Sequence, residues 1–325
     1  MQLFPILLMS VSSLFPESPR FLVMHDRTEE ATAALDAVYP DKDKVQETLE
    51  LLQANKKEES KVTWTEMFTP GHTQFHPCMM TIAVQINQAL TGYGAISVYG
   101  PQIFELLGFG VRQSEYLSQA NYLSYLALMT LAWLLIDAVG RRPLMIWNSV
   151  GLTVCFLLLA IFGYLSTNSY ELGIDNLGPG IPGTISLFVA TGNFGIGWLA
   201  TAWLIPTEIF PTTARAKGTA VSVVIWGLAN FAVTLLTPIM FNTLSYWIFL
   251  VFAATNLVAG GWTAVYQPET GGRSFEENQD FFKEATKAGT WCVSAVKNGQ
   301  WKRMPLPDDG TGEREPLLRR VRGQL

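Results

Sequence analysis

Two kinds of side chain in this sequence have chemistry to offer, and neither kind breaks covalent bonds. The first is carboxylate and guanidinium in short clusters: Asp137 with Arg141 and Arg142, then Glu208 with Arg215. At the end of an apolar segment such groups are only partly hydrated, so they can hold helix ends together in one state and release them in another. The plainer alternative is that they anchor chain ends at a membrane surface. The second kind is amides and aromatic rings set inside long uncharged stretches: Gln85, Gln88, Tyr99, Asn121, Trp203, Trp226 and Asn230. Polar groups are costly in hydrocarbon and face a bundle interior, where paired donors and acceptors could read a small polar solute. For the amides the alternative is interhelical hydrogen bonding worth about 0.6 kcal/mol each, and for the two tryptophans it is packing. No nucleophile, acid pair or metal set lies at comparable depth, so the expectation is not an enzyme, with no cofactor and no metal.

The elements that must position these groups are membrane helices. Charged residues make up 15% of the 325, against roughly 25% in an average soluble domain. Only 11 of them lie between Phe75 and Pro268. Residues 75–104, 116–136, 143–170, 176–207 and 218–268 contain no Asp, Glu, Lys or Arg. A helix crosses about 30 Å of hydrocarbon in roughly 20 residues. Four runs therefore hold one crossing each, and the 51 residues from Gly218 to Pro268 hold two, with a break expected near Pro238–Ser245. The predicted fold class is an all-α integral membrane bundle of six complete spans over 75–268. A shorter apolar segment, 1–15, reads as the end of a further span, without the basic start or cleavage site of a signal peptide.

Placing 16–74 in the cytoplasm puts the turns 137–142 and 208–217 and the tail 269–325 there too, and with them 21 of the 22 Lys and Arg residues. Only Arg112 falls outside. The net charge of -5 carries no nucleic-acid-binding stripe. Within 16–74, residues 28–39 and 43–59 read as two charged helices separated by Pro40, with Val45, Leu49 and Leu52 as the apolar stripe of the second. Residues 275–288 read as a further helix, and 305–325 as a disordered tail. Cys78, Cys155 and Cys292 suggest no disulfide framework, and His72 and His76, although four apart, are bracketed by prolines and lack a third ligand. Gly192, Gly195 and Gly197 read as close helix packing or a kink.

Four of the cytoplasmic clusters carry a resemblance. They are Pro16-Glu17-Ser18-Pro19-Arg20, Asp137 through Gly140-Arg141-Arg142, Glu208 through Pro211 to Arg215 and Gly218, and Pro268-Glu269-Thr270-Gly271-Gly272-Arg273. In this order and at these spacings the chain resembles the sugar porter family of the major facilitator superfamily, of fungal type. The resemblance implies twelve helices in two six-helix halves, with the solute held between them. It covers about residues 1–290 and aligns with the second half, from the end of the sixth helix to the twelfth, which makes an N-terminal six-helix half an expected partner. It also implies a cytoplasmic gate comprising Glu17, Arg20, Asp137, Arg141, Arg142, Glu208, Arg215, Glu269 and Arg273. Ala138 stands where the family usually has Arg.

The family's QQxSGxNAxxYY helix is matched in part: Gln88 falls on its first Gln and Tyr99 keeps an aromatic, but Ala89 replaces the second Gln and Gly94 the Asn. Trp203 falls on the family's pocket tryptophan, while Ala200 and Ala202 stand where prolines flank it; Asn230 matches a second family Asn, and Trp226 stands in place of the first. The expected solute is a sugar, a polyol or a small organic acid, less hydroxylated than a hexose or read mainly by the other half. No uncharged span contains a carboxylate, so any proton-coupling residue would lie in that half. The alternative function is a non-transporting membrane sensor or an inactive fragment, and the expected location is the plasma membrane.

Overall fold

Prolines, glycines and one serine decide where the helices of this chain break. The computed structural model describes residues 6, 9–11, 17–59, 62–175, 177–273 and 275–295. Most of the apolar segment 1–15 and all of the tail 305–325 lie outside the described residues.

Three helices, α1 (Pro19–Met24), α2 (Thr28–Asp36) and α3 (Lys42–Glu59), form a small unit of their own. Pro19 suits the first turn, where its missing N–H costs nothing, and Ser18 accepts a hydrogen bond from the Phe21 amide at 3.2 Å. Leu22, Val23, Ala31, Leu35, Val45 and Leu49 bury against one another. Lys56 ties α3 back to the turn after α1, reaching Asp26 at 2.6 Å and the Val23 carbonyl at 3.0 Å. A capping box between Thr63 and Glu66 then starts α4 (Trp64–Phe68).

The first uncharged run becomes two helices, α5 (Phe75–Leu90) and α6 (Tyr93–Leu106). Gly92 parts them with φ +84°, a left-handed conformation that glycine adopts without penalty. A side chain could not follow it there, because a Cβ would stand 2.7 Å from the ring of Phe252. α7 (Val111–Val139) and α8 (Arg141–Thr167) are separated by Gly140 at φ +104°. α9 (Leu177–Asn193) passes through a π-helical segment, Phe194–Leu199, into α10 (Ala200–Ile209). The last long run gives α11 (Thr212–Leu244) and α12 (Ile248–Tyr266), and α13 (Phe275–Ala288) follows. No strand occurs among the described residues.

Four stretches are long and apolar enough to cross a membrane: Val111–Val139, Arg141–Thr167, Gly178–Ile209 and Thr212–Tyr266. The run 75–104 is not among them, because the break at Gly92 leaves two shorter helices. The break in the last run falls at Ser245 (φ 51°), at the far edge of the expected segment, and Pro238 stays inside α11. α8 sits at the centre, packed between α9 and α12, while α11 lies along α5 and α7 along α6 and the π segment. Trp198, Phe104, Phe156 and Phe249 fill the interior. The glycines of the π region serve close approach: Cβ atoms on Gly192, Gly195 and Gly197 would meet Leu128, Tyr125 and Asn148.

Pro101 has no N–H for the carbonyl four residues back, that of Ser97. The hydroxyl of Tyr122 on α7 donates to that oxygen instead. Replacing Tyr122 with Phe removes the donor alone and should lower stability by about 1 kcal/mol, read as a reduced thermal midpoint of the detergent-purified protein. An unchanged midpoint would mean that the Ser97 carbonyl does not need this bond.

Candidate functional site

At one end of the bundle the charged clusters meet. Gly140 turns the chain so that α8 opens on Arg141, whose guanidinium folds back over the end of α7. Its Nη1 donates to the Ile136 carbonyl at 3.1 Å and to Asp137 Oδ1 at 2.8 Å. Its Nε and Nη2 both reach Glu208 Oε1, at 3.1 and 2.8 Å, from the end of α10. The other oxygen of Glu208 accepts from the Thr270 hydroxyl. With side chains 11% and 19% exposed, Arg141 and Glu208 form a pair whose breaking leaves a poorly hydrated charge, a situation that costs about 3–5 kcal/mol when burial is complete.

Glu269 is fully buried just beyond α12 and does something different. Its Oε1 accepts from the backbone amides of Arg141 (3.0 Å) and Gly271 (2.7 Å), and its Oε2 from that of Arg142 (3.1 Å). It therefore caps α8 from a distant segment, placing a negative charge where the first amides of a helix are unsatisfied and its dipole is positive. The fit needs two glycines: a Cβ on Gly140 would lie 2.5 Å from Glu269 Oε2, and one on Gly271 2.9 Å from Oε1. Arg142 donates to the Ala264 carbonyl at 2.7 Å, joining α8 to α12, and α13 closes over the same end, with Asn278 donating to the Glu208 carbonyl at 3.3 Å and Gln279 to that of Ile209.

Of the nine residues expected at this end, the structure joins Asp137, Arg141, Arg142, Glu208 and Glu269. Arg20 and Arg215 line a cavity of about 450 Å³ between α1 and the start of α11, with Ser18, Phe21, Met24, Ala216 and Thr219. Glu17 is exposed, and Arg273 is half-buried in the turn after Thr270. Thr270, Gly271 and Asn278 were not anticipated; the only sign of the first two was the Thr-Gly-Gly run itself.

The polar and aromatic groups of the spans divide into two layers. Gln85, Gln88 and Asn121 are buried between helices. Gln85 Nε2 donates to the Ala202 carbonyl (3.0 Å) and to Ser222 Oγ (2.8 Å). Ala202 is four residues before Pro206, so its carbonyl has lost its helical donor and Gln85 supplies one. Gln88 Nε2 reaches the carbonyl of Trp198 within the π segment at 3.5 Å, and Asn121 donates to Thr191 at 3.1 Å. The second layer is half-exposed. Trp203 and Trp226 lie with ring centroids 5.4 Å apart at 59°. One turn on from Trp226, Asn230 Oδ1 lies 3.0 Å from where a Cβ of Gly94 would be, and Tyr99 donates to the Thr234 carbonyl at 3.3 Å. These residues follow one strip along α10, α11 and α6. Beside it, unpredicted, Tyr93 stacks on Phe194 (4.1 Å, 6°) and Tyr125 (4.9 Å, 29°).

A bundle with an ionic lock at one end and an amide-and-aromatic strip along its helices invites comparison with transporters. A sequence profile of the Sugar (and other) transporter family matches residues 1–282. The chain belongs to this family. Among its relatives are the MFS-type transporter oryC of Aspergillus oryzae, 29% identical over 86% of this chain and 53% of that protein, and the glucose transporter GlcP of Staphylococcus epidermidis, 30% identical over 85% and 59%. The chain thus spans little more than half the length of either. Its fold resembles part of the proton:xylose symporter XylE of E. coli, with a TM-score of 0.64 and 22% identity over 85% of this chain and 56% of that one. This sugar transporter family member, helical and without strands among its described residues, is therefore a multi-pass membrane protein of major facilitator type, in a family of transporters rather than enzymes.

In this family member the Glu269 carboxylate accepts from three amides, and the bare Gly140 leaves it room to do so. Glu269→Gln, which puts an amide N–H against those donors, should cost about 1–3 kcal/mol. The unfolding midpoint of the variant decides this, since an unchanged midpoint would show that the three amides do not need the carboxylate.

Proposed function

We propose that the chain forms one six-helix half of a sugar porter and that it moves a sugar or a similar small organic solute by alternating access. The reading counts α5 with α6 as one broken span, then α7, α8, α9 with α10, α11 and α12. It sets 16–74, the turns 137–142 and 208–217 and the tail 269–325 in the cytoplasm, an orientation supported by the 21 Lys and Arg residues gathered there, with the plasma membrane as the host bilayer. The partner is a second six-helix half. In its favour, Val111–Val139 and Thr212–Tyr266 bury only 11% of their most apolar stretches, against 50% and 61% for the other two. Lipid covers part of that surface and the other half the rest.

The observation that carries the solute assignment is the half-exposed strip of Trp203, Trp226, Asn230 and Tyr99 on the under-buried side of the bundle. Aromatic faces with an occasional amide suit the apolar face and scattered hydroxyls of a sugar ring. Gln85, Gln88 and Asn121 contribute from beneath by holding the strip's helices: Gln85 gives both amide protons to Ala202 and Ser222, while Gln88 and Asn121 give one each to Trp198 and Thr191. The strip itself carries a single amide, Asn230, beside its aromatic rings, which favours a lightly hydroxylated solute or one gripped mainly by the partner. The gate is the Arg141 network, with Arg142, Glu208, Glu269 and Asp137. Glu17, Arg20, Arg215 and Arg273 complete it when the two halves close.

Uptake of labelled glucose, xylose, inositol and lactate by transporter-deficient cells tests this, using the chain alone and the chain joined behind the N-terminal half of a family relative. We expect uptake from the joined protein. Trp203→Ala with Asn230→Ala should cut it at least about tenfold at unchanged abundance, whereas Gln85→Leu should reduce abundance by exposing the Ala202 carbonyl. A joined protein that reaches the membrane intact and moves none of the four solutes overturns the transport reading.

A further inference from the structure

The interruption between α5 and α6 has an exact-to-the-atom requirement for hydrogen-bond donors. An α-helix ending inside an apolar bundle leaves its last carbonyls without partners, and there is no water at that depth to serve them. The Gln88 carbonyl is met by the amide (3.3 Å) and hydroxyl (2.6 Å) of Thr91, and that of Ala89 by the Gly92 amide at 3.5 Å. The Gly92 carbonyl begins α6, accepting from Ala95 at 3.1 Å and Ile96 at 3.2 Å. Between them, the carbonyls of Leu90 and Thr91 receive no inter-element backbone amide among the described residues.

Both are served by one helix. Thr255 Oγ1 on α12 donates to the Leu90 carbonyl at 2.7 Å, and Asn256 Nδ2 donates to the Thr91 carbonyl at 3.0 Å. The proton arithmetic is consistent. The hydroxyl has one proton and lies nearer to Leu90 than to the Phe252 carbonyl of its own helix, at 3.0 Å; the amide has two and uses the second on Phe252 at 2.7 Å. Asn256 is fully buried, and the Phe252 ring occupies the space against Gly92 where any other residue would place its Cβ. Three successive contacts from a single turn of α12 thus grip the three residues at which the solute-facing helix breaks.

We propose that Thr255 and Asn256 are positioning residues that set the angle between α5 and α6. With both bonds made, Tyr99 and the rest of α6 stand at a fixed angle to the Gln85–Gln88 layer. With them released, the chain pivots at Thr91–Gly92 and swings the solute-facing strip. Neither residue touches the strip itself, and their use in transport rests on the function proposed above, but the hinge is a property of this chain and is measurable without a solute.

The test is hydrogen exchange followed by mass spectrometry on the full chain in lipid nanodiscs. In a Thr255→Val, Asn256→Ala double variant, amides of 91–98 should exchange about tenfold faster, with 141–148 and 275–288 unchanged. Thr255→Ser, which keeps the hydroxyl, should match the native rate, and the near-isosteric Thr255→Val alone should show the local rise even if the double variant folds poorly. Unchanged exchange at 91–98 overturns the proposal, as does an equal rise throughout the bundle, which would mark these residues as ordinary packing. In the joined transporter the same variants should lower turnover while leaving the half-saturating solute concentration unchanged. Altered exchange without any transport would leave the hinge standing and remove the transporter reading; transport with unaltered exchange would do the reverse.

Discussion

Every interruption of a helix inside this bundle must find a donor for the carbonyl it frees, and that requirement orders the interior more than any other. In hydrocarbon an unsatisfied backbone group costs several kcal/mol, whereas an interhelical side-chain bond contributes well under 1 kcal/mol beyond what lipid-exposed alternatives provide. The inequality favours a donor wherever a proline frees a carbonyl in the interior. Three of the prolines inside the helices show one. The Ser97 carbonyl freed by Pro101 accepts from Tyr122, that of Ala202 freed by Pro206 accepts from Gln85, and that of Thr234 before Pro238 accepts from Tyr99. Each donor comes from a different helix than its acceptor, so every weakness in one helix becomes a link to another.

This explains why the positions of the long helices were legible in the sequence and the roles of polar residues within them were not. Uncharged runs bounded by Arg, Lys, Asp and Glu are a local signal, and α7, α8, α9 with α10, and α11 fall within a few residues of where those runs lie. The end of α11 shows where a local signal fails. Pro238 marks the commonest kind of helix breaker, yet α11 continues through it because a hydroxyl 135 residues away satisfies the Thr234 carbonyl. The chain stops instead at Ser245, a residue with no reputation as a breaker, held at φ 51°. Gln85 is the same lesson for a side chain. From sequence it is a polar group in a span, suited equally to a solute or to a neighbouring helix; its commitment to Ala202 and Ser222 depends on partners 117 and 137 positions away.

The charged end follows the same logic with ions. That Asp137 would meet Arg141 is readable from a four-residue spacing, and an arginine facing Glu208 follows once both are placed at one end of the bundle. The part played by Glu269 is not readable, since its partners are backbone amides 127 and 128 positions earlier, and amides leave no mark in a sequence. Gly140 and Gly271 are the indirect trace: two residues without Cβ atoms on either side of one carboxylate. Glycine next to a predicted helix start is ordinarily taken for a turn residue. Here it is also a vacancy cut to the shape of a side chain from another segment.

Interruptions bridged by side chains differ from continuous helix in one respect that bears on motion. A backbone bond within a helix can be exchanged only by unwinding its neighbours, whereas a hydroxyl or amide on a rotatable side chain can leave one carbonyl and take another by a change of χ angle. Tyr99, Tyr122, Gln85, Thr255 and Asn256 therefore stabilise the breaks in one arrangement without forbidding a second. The irregularities are also distributed unevenly: α8, at the centre, runs unbroken from Arg141 to Thr167, while the break at Gly92, the π segment and the mid-helix prolines Pro101, Pro182, Pro206 and Pro238 fall on or between α5, α6, α9, α10 and α11. An unbroken α8, capped by Glu269 and locked to Glu208, gives the interrupted helices something rigid to move against. Rigidity at the core and adjustable bonds around it is the division of labour that a two-state bundle requires, because a core that yielded everywhere would have many arrangements and switch between none.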